Sequence, residues 1–197
     1  DCTNDIIKKY DDIVSIHISE KDNGLYDAMN KGISLASGDI VGILNSDDVL
    51  ANESVIEKIV SAFDNKSIDA VYSDLIYVSE HNLNKPTRLY SSKVFSKRMI
   101  KFGIMLPHPT FYVRKSCYVE FGSYKMDYRV AADFELAKDT AKVAFAPRFF
   151  LFSLPSKSNK TLSILNWLAG SNPFKLDAIC LLIFSTAFLT LLPKKLS

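Results

Sequence analysis

Two adjacent carboxylates, Asp47 and Asp48, follow an almost unbroken apolar stretch, Ile40-Val41-Gly42-Ile43-Leu44, with only Asn45 and Ser46 between. Consecutive side chains at the end of a strand point apart. One carboxylate can then reach a divalent cation while its neighbour holds a water, a hydroxyl or a backbone amide. Mg²⁺ needs only one or two carboxylates when phosphate and water complete its octahedron. The competing structural reading makes either Asp a cap of the following turn. A second ionisable group lies upstream, where Glu20, Asp22, Asp27 and Lys31 surround Gly24. Downstream, His108 stands between Pro107 and Pro109, whose fixed φ stiffens the backbone that carries it. Asp133 opens a helical stretch, where the helix dipole stabilises a carboxylate whatever its role.

These groups need a scaffold, and the apolar spacing supplies one. Leu25, Ala28, Met29, Gly32, Ile33 and Ala36 recur at helical spacing, and Gly38 stands where a glycine would close that helix. Residues 39–44 read as a central strand buried on both faces. A helix over 53–63 and a strand at Ala70-Val71-Tyr72 continue the alternation expected of an α/β sheet. Residues 76–78 and 87–90 form a hairpin around His81-Asn82-Leu83-Asn84, and Asp74 either lines the site or, the favoured reading, starts the hairpin turn. Further strands are expected at 13–18 and 110–113, with helices near 94–101, 116–121 and 132–139. In such sheets ligands bind beyond the carboxyl ends of the strands, where Asp47 and Asp48 stand.

Three segments taken together, Ser19-Glu20-Lys21-Asp22-Asn23-Gly24-Leu25-Tyr26-Asp27-Ala28-Met29-Asn30-Lys31-Gly32, Ala36-Ser37-Gly38-Asp39 and Leu44-Asn45-Ser46-Asp47-Asp48, resemble the core of the family 2 glycosyltransferases. The resemblance is closest to the bacterial branch that builds exopolysaccharide, capsule or lipopolysaccharide. It implies a GT-A fold, a mostly parallel nucleotide-binding sheet flanked by helices. It also implies inverting transfer of a sugar from a nucleotide-sugar donor to a hydroxyl of a polysaccharide or lipid-linked acceptor. On this resemblance Asp47 and Asp48 match the carboxylates that bind Mg²⁺ or Mn²⁺ and the donor diphosphate, with Asp48 the direct ligand. Asn45 stands where many members have Asp. Glu20, Asp22 and Gly24 match the loop leading into the donor-side helix, and Asp27 and Lys31 lie on that helix. Val130-Ala131-Ala132-Asp133-Phe134-Glu135-Leu136 occupies the place of the acidic motif that carries the base, which makes Asp133 the base, although Ala132 replaces the usual preceding acid. Leu106-Pro107-His108-Pro109-Thr110-Phe111 matches the turn facing the acceptor pocket.

The chain has 197 residues, 48% hydrophobic and 23% charged, a globular composition with a net charge of +2. That charge argues against a nucleic-acid binder built on bulk positive charge. Cys2, Cys117 and Cys180 are odd in number and far apart, which disfavours a disulfide framework or a zinc site and fits a reducing cytoplasm. Residues 1–154 are read as the glycosyltransferase domain. Residues 155–197 are read as a linker and an apolar helical tail with five lysines and one Asp. Within the tail, Ala178–Leu192 is too short as a helix for a straight span of the ~30 Å hydrocarbon core. Lysines at its ends suit an interfacial helix at the inner face of the plasma membrane, or else a helix packed on the domain. Asp1 is neither an initiator Met nor part of a signal sequence, and the first residues resemble a point after the family's first strand-helix-strand unit. Two other readings compete: an inactive remnant acting as a membrane-associated binding module, and a sugar nucleotidyltransferase. The latter is disfavoured because no Gly-rich phosphate loop with a basic residue is present.

Overall fold

The computed structural model describes residues 5, 7–11, 14–45, 48–52, 54–79, 82–93, 95–127, 136, 143–153, 179–185 and 188–192. Asp47 and Asp133 therefore lie outside the described residues, as does all of 132–139 except Leu136. The strands are β1 (Ile16–Ile18), β2 (Ile40–Asn45), β3 (Asp48–Leu50), β4 (Ala70–Ser79), β5 (Asn82–Tyr90), β6 (Tyr112–Arg114), β7 (Val143–Ser153), β8 (Ile179–Ser185) and β9 (Phe188–Leu192). The α-helices are α1 (Leu25–Leu35), α2 (Val55–Ala62) and α3 (Lys115–Phe121). All the strands belong to one sheet in the order β1-β9-β8-β2-β6-β4-β7-β3, with β5 on the side of β4.

The architecture is mixed α/β, and β2 shows why its sequence is so continuously apolar. Ile40 and Leu44 enter a core cluster with Val55, Ile56 and Ile59 of α2. Val41 and Ile43 enter a second cluster with Met29 and Ile33 of α1 and with Cys117 and Tyr118 of α3. A strand covered on both faces has no solvent side on which to alternate. Helix α1 buries Ala28, Met29, Gly32 and Ile33, the stripe expected from their spacing. Its chain leaves helical geometry at Ala36, in extended conformation with φ −56° and ψ 131°, so closure comes before Gly38 and does not use it.

The sheet is less parallel than the resemblance implied. Among the described residues β2 pairs parallel with β8 and β4 with β7, while the other pairings are antiparallel. Short connections account for two of the antiparallel pairs, β4 with β5 and β8 with β9, because a parallel pair needs a crossover of a dozen or more residues. β6 also runs antiparallel between β2 and β4, which share a direction.

The tail departs most from expectation. Residues 179–185 and 188–192 form a hairpin, not a helix: β8 lies in register along all of β2, from Ile40 opposite Ile179 to Asn45 opposite Phe184, and β9 closes against β1. An apolar run of this length satisfies either helix or strand by periodicity, and here the backbone edge of β2 decides in favour of a strand. Among the described residues no helix is long and apolar enough to cross a membrane.

Other expectations shift in detail. β4 runs on through Asp74 to Ser79, so Asp74 is a buried strand residue and not the start of a turn. Residues 94–101 give a 3-10 helix, Lys97–Phe102, closed by Gly103 at φ 75°. β3 and β7 were not anticipated. β7 carries Pro147, and the register against β4 jumps from Tyr72 opposite Phe145 to Asp74 opposite Phe150, so the proline falls within the irregularity, where a missing N–H is tolerated.

Candidate functional site

The site is built at the carboxyl end of β2. Asn45 ends that strand, and Asp48 begins β3 only three residues later. The Asn45 side-chain amide donates to Asp48 Oδ2 at 2.8 Å. Asp48 is 1% exposed. A carboxylate withdrawn this far from water loses its solvation and requires polar compensation, which the Asn45 amide supplies in part. Asn45, the position where many relatives of the resemblance have Asp, thus acts as a neutral donor to the neighbouring acid.

Behind Asp48 lies Tyr112 of β6, wholly buried and paired with Gly42 of β2. A methyl group at Gly42 would run into the Tyr112 ring, so the glycine lets the ring approach the β2 backbone closely. Burial pushes the Tyr112 phenol well above its ordinary pKa, and the charge of Asp48 adds to the rise. The phenol therefore stays neutral beside the carboxylate.

Across from Asp48 stands the His108 turn. A 3-10 turn spans His108–Thr110 with Pro107 as its N-cap. Thr110, fully buried, fastens it to β4: its hydroxyl donates toward the Ser73 and Pro107 carbonyls at 3.0 and 2.9 Å and accepts the Ser73 N–H at 3.2 Å. Asp48, Asn45 and His108 line one pocket of about 310 Å³, with Tyr77, Tyr90 and Met105 on its other walls. The Tyr90 hydroxyl donates to the Met105 carbonyl at 2.9 Å and ties the hairpin to this rim. Asp74 holds the same region, accepting the Ser92 N–H at 2.6 Å just past β5.

The upstream group assembles around Lys31. Its ammonium lies 2.6 Å from Glu20, 2.8 Å from Asp22 and 3.2 Å from Asp27. Three ammonium protons meet three carboxylates, which leaves the lysine with its donors engaged within the loop. Hydrogen bonds to Asp22 and Glu20 raise the Lys31 pKa above its ordinary value. Asp27 is lowered, first by the Asn23 backbone N–H that it accepts at 2.9 Å. That contact reaches back over the helix start in the manner of a capping box. Gly24 is the N-cap at φ 122°, a backbone conformation open chiefly to glycine.

None of Glu20, Asp22, Gly24, Asp27 and Lys31 lines the pocket of Asp48 and His108. A link between the two groups runs through Tyr124, which the sequence did not single out. Asn30 of α1 donates to the Tyr124 carbonyl at 2.8 Å and accepts its N–H at 2.9 Å. The Tyr124 ring packs 5.4 Å from that of Tyr26 and 6.4 Å from that of His108, centroid to centroid. The signal for Tyr124 was Asn30, a buried-side amide that needs backbone partners. The signal for Tyr112 was Gly42, a gap in an otherwise bulky strand.

Among the described residues no group of three His, Cys, Asp or Glu side chains could hold a metal ion. Asp48 alone fits Mg²⁺ or Mn²⁺ only where a phosphate-bearing ligand shares the ion, the usual manner of Mg²⁺.

The family model described as Glycosyl transferase family 2 matches residues 1–120. An uncharacterized glycosyltransferase of Mycobacterium tuberculosis is 33% identical over 126 residues, covering 64% of this chain and 47% of that protein. A PGL/p-HBAD biosynthesis glycosyltransferase of Mycobacterium bovis is 30% identical over 118 residues, covering 59% of this chain and 43% of that protein. The chain thus spans just under half the length of these relatives.

Proposed function

The chain belongs to glycosyl transferase family 2, and from that premise we propose that it is an inverting glycosyltransferase of GT-A fold, moving a sugar from a nucleotide-sugar donor to a hydroxyl of a glycan or lipid-linked acceptor. The observation that carries this reading is the buried Asp48 at the carboxyl end of β2, facing the His108 turn across one pocket. Relatives named as glycosyltransferases support it. Our reading puts the reaction in the cytoplasm, at the inner face of the plasma membrane.

Asp48, together with Asp47, would hold Mg²⁺ or Mn²⁺ against the donor diphosphate. When bound, the ion supplies Lewis-acid neutralisation of the charge that grows on the leaving diphosphate. The chain's own groups do the rest. Asn45 fixes Asp48 Oδ2, which orients the remaining oxygen. The Pro107–Pro109 turn, pinned by Thr110, presents His108 to the acceptor side. Asp133 takes the proton from the acceptor hydroxyl, for which it must come within about 3 Å of that oxygen. The bond from the anomeric carbon to the leaving phosphate oxygen breaks as the bond to the acceptor oxygen forms. A single displacement inverts that carbon.

A thermal-shift screen of nucleotide sugars with and without Mn²⁺ tests the reading. A donor at about 100 times its Kd stabilises by roughly 2.7 kcal/mol, which for a chain of this size raises Tm by about 5–10 °C. Asp48→Asn should remove the Mn²⁺-dependent part of the shift, and Asp133→Asn should keep the shift while losing turnover. Absence of a shift with every donor, and of any transfer, would end the proposal for this chain.

A further inference from the structure

Charge in this chain is segregated in a way that net charge hides. Between Glu80 and Glu120 there is no acidic residue, and the 39 positions carry eight Lys and Arg. Two of the eight are consumed inside the fold. Arg114 donates to the carbonyls of Ile68 and Phe63 at 2.7 Å each, and the Lys115 ammonium caps the Ala36 carbonyl. The other six fall in β5, as Lys85 and Arg88, and in the segment that follows it, as Lys93, Lys97, Arg98 and Lys101. Lys85, Arg88, Lys93 and Arg98 are exposed.

The same segment shows apolar side chains to water. Phe102 is 82% exposed, Ile104 two residues on is 44% exposed, and Leu89 of β5 is 58% exposed. A phenylalanine left outside the core at the end of a 3-10 helix gives up the burial that would stabilise it, unless something covers it. Cations alone would suit any polyanion. Cations interleaved with exposed aromatic and aliphatic side chains suit an interface with charged headgroups above and acyl chains below. The placement adds to this. Met105, next after Ile104, forms the rim of the Asp48 pocket, and Tyr90 at the end of β5 hydrogen-bonds to it. The basic strand and the apolar loop therefore flank one side of the pocket mouth.

We propose that the surface formed by β5 and residues 93–104 docks on an anionic phospholipid bilayer, with Phe102 and Ile104 entering the headgroup region and the pocket mouth held close to it. This moves membrane contact from the tail, where the sequence had placed it, to the pocket rim. The inference rests on charge and exposure and stands whether or not the chain transfers sugar.

Co-sedimentation of the full chain with phosphatidylcholine vesicles, with and without phosphatidylglycerol, tests it. The chain should pellet with the phosphatidylglycerol vesicles, remain in solution with phosphatidylcholine alone, and be released as salt shortens the Debye length from about 8 Å at 0.15 M toward 3 Å at 1 M. The pair Lys93→Glu and Arg98→Glu should weaken binding at least tenfold, and the pair Phe102→Ser and Ile104→Ser should do so without a change of charge. Val119→Ser, an equally exposed apolar position on α3, should leave binding unchanged. All these positions are exposed, so far-ultraviolet circular dichroism should match the parent. Failure of the parent chain to bind phosphatidylglycerol vesicles overturns the proposal. Binding that falls with the charge reversals but ignores the Phe102 and Ile104 substitutions also overturns it, and shows a polyanion site instead. Equal loss with Val119→Ser overturns the assignment to this surface. Donor thermal shifts measured on the same variants without vesicles keep this outcome apart from that of the transferase reading.

Discussion

Asp48 and Lys31 are both charged residues within recognised motifs, yet the fold treats them in opposite ways. Lys31 sits at the surface, 33% exposed in its side chain, with three carboxylates closing on it. Asp48 is almost fully withdrawn from water, held by a neutral amide beside a neutral phenol. Exposed ion pairs are screened and contribute little, so the Lys31 group serves to set the start of α1. A buried carboxylate on a pocket wall is costly to keep, and such groups cluster at functional sites. Motif density alone does not separate the two cases. Burial does.

The largest effect should come from Asp48. Asp48→Ala should lower transfer by two to three orders of magnitude or more, on the scale of removing one preorganised electrostatic group. Lys31→Met should change transfer by less than tenfold in the same assay. Comparable losses from both would erase the distinction drawn between them.

The next effect tests the support behind Asp48. Gly42→Ala forces the Tyr112 ring off the β2 backbone, an overpacking that costs about 1–3 kcal/mol, or a Tm lower by roughly 2–12 °C. Adding Tyr112→Leu to Gly42→Ala should recover part of that Tm, because the smaller side chain accepts the methyl group. A double variant no more stable than Gly42→Ala alone would show that the strain lies elsewhere.

How much of this could be read in advance depended on the range of the interaction. Helix α1 and strand β2 were legible because their burial follows a local period, and α3 and the β4–β5 hairpin because turn chemistry frames them. The placement of Asp48 at a strand end and of His108 in a stiff turn was legible because each is flanked by residues that fix its backbone, an apolar strand before one and two prolines around the other. Tyr112 and Tyr124 were not, since their roles arise from Gly42 and Asn30 on elements distant in sequence. The run at 178–192, expected as a helix, was misread because apolar content alone does not choose between helix and strand. Its state is set by the open edge of β2, a fact of the assembled sheet. β3 is too short to show a period, and the strand pattern of β7 is broken at Pro147.

A smaller effect is expected where the two regions meet. Asn30→Ala removes both hydrogen bonds to the Tyr124 backbone and should cost about 1–2 kcal/mol in urea unfolding. Because Tyr124 also packs on His108, the variant should raise the acceptor KM more than it changes donor affinity. An effect on donor affinity alone would place the Tyr124 link on the other side of the pocket.

The smallest effect belongs to the Lys31 group, and its sign can be worked out. Asp27 is held below its ordinary pKa, so its contribution is present above the unfolded carboxylate value of about 3.9 and is lost as pH falls through the lower folded value. Lys31 is held above its ordinary pKa, so its contribution is present below the unfolded value of about 10.4 and is lost as pH rises through the higher folded one. Around neutral pH both are fully present and neither makes stability vary. Lys31→Met should therefore lower Tm slightly at pH 7, remove the alkaline fall assigned to Lys31, and weaken the acid one by freeing Asp27 from its lysine while leaving the Asn23 N–H in place. Salt should shrink the difference between parent and variant, since these charges face water. Thermal melts across pH at low and high salt measure all of this. A Lys31→Met variant whose melts parallel those of the parent at both pH extremes would show that the three carboxylates do not depend on the lysine, and that Asn23 and Gly24 alone hold the start of α1.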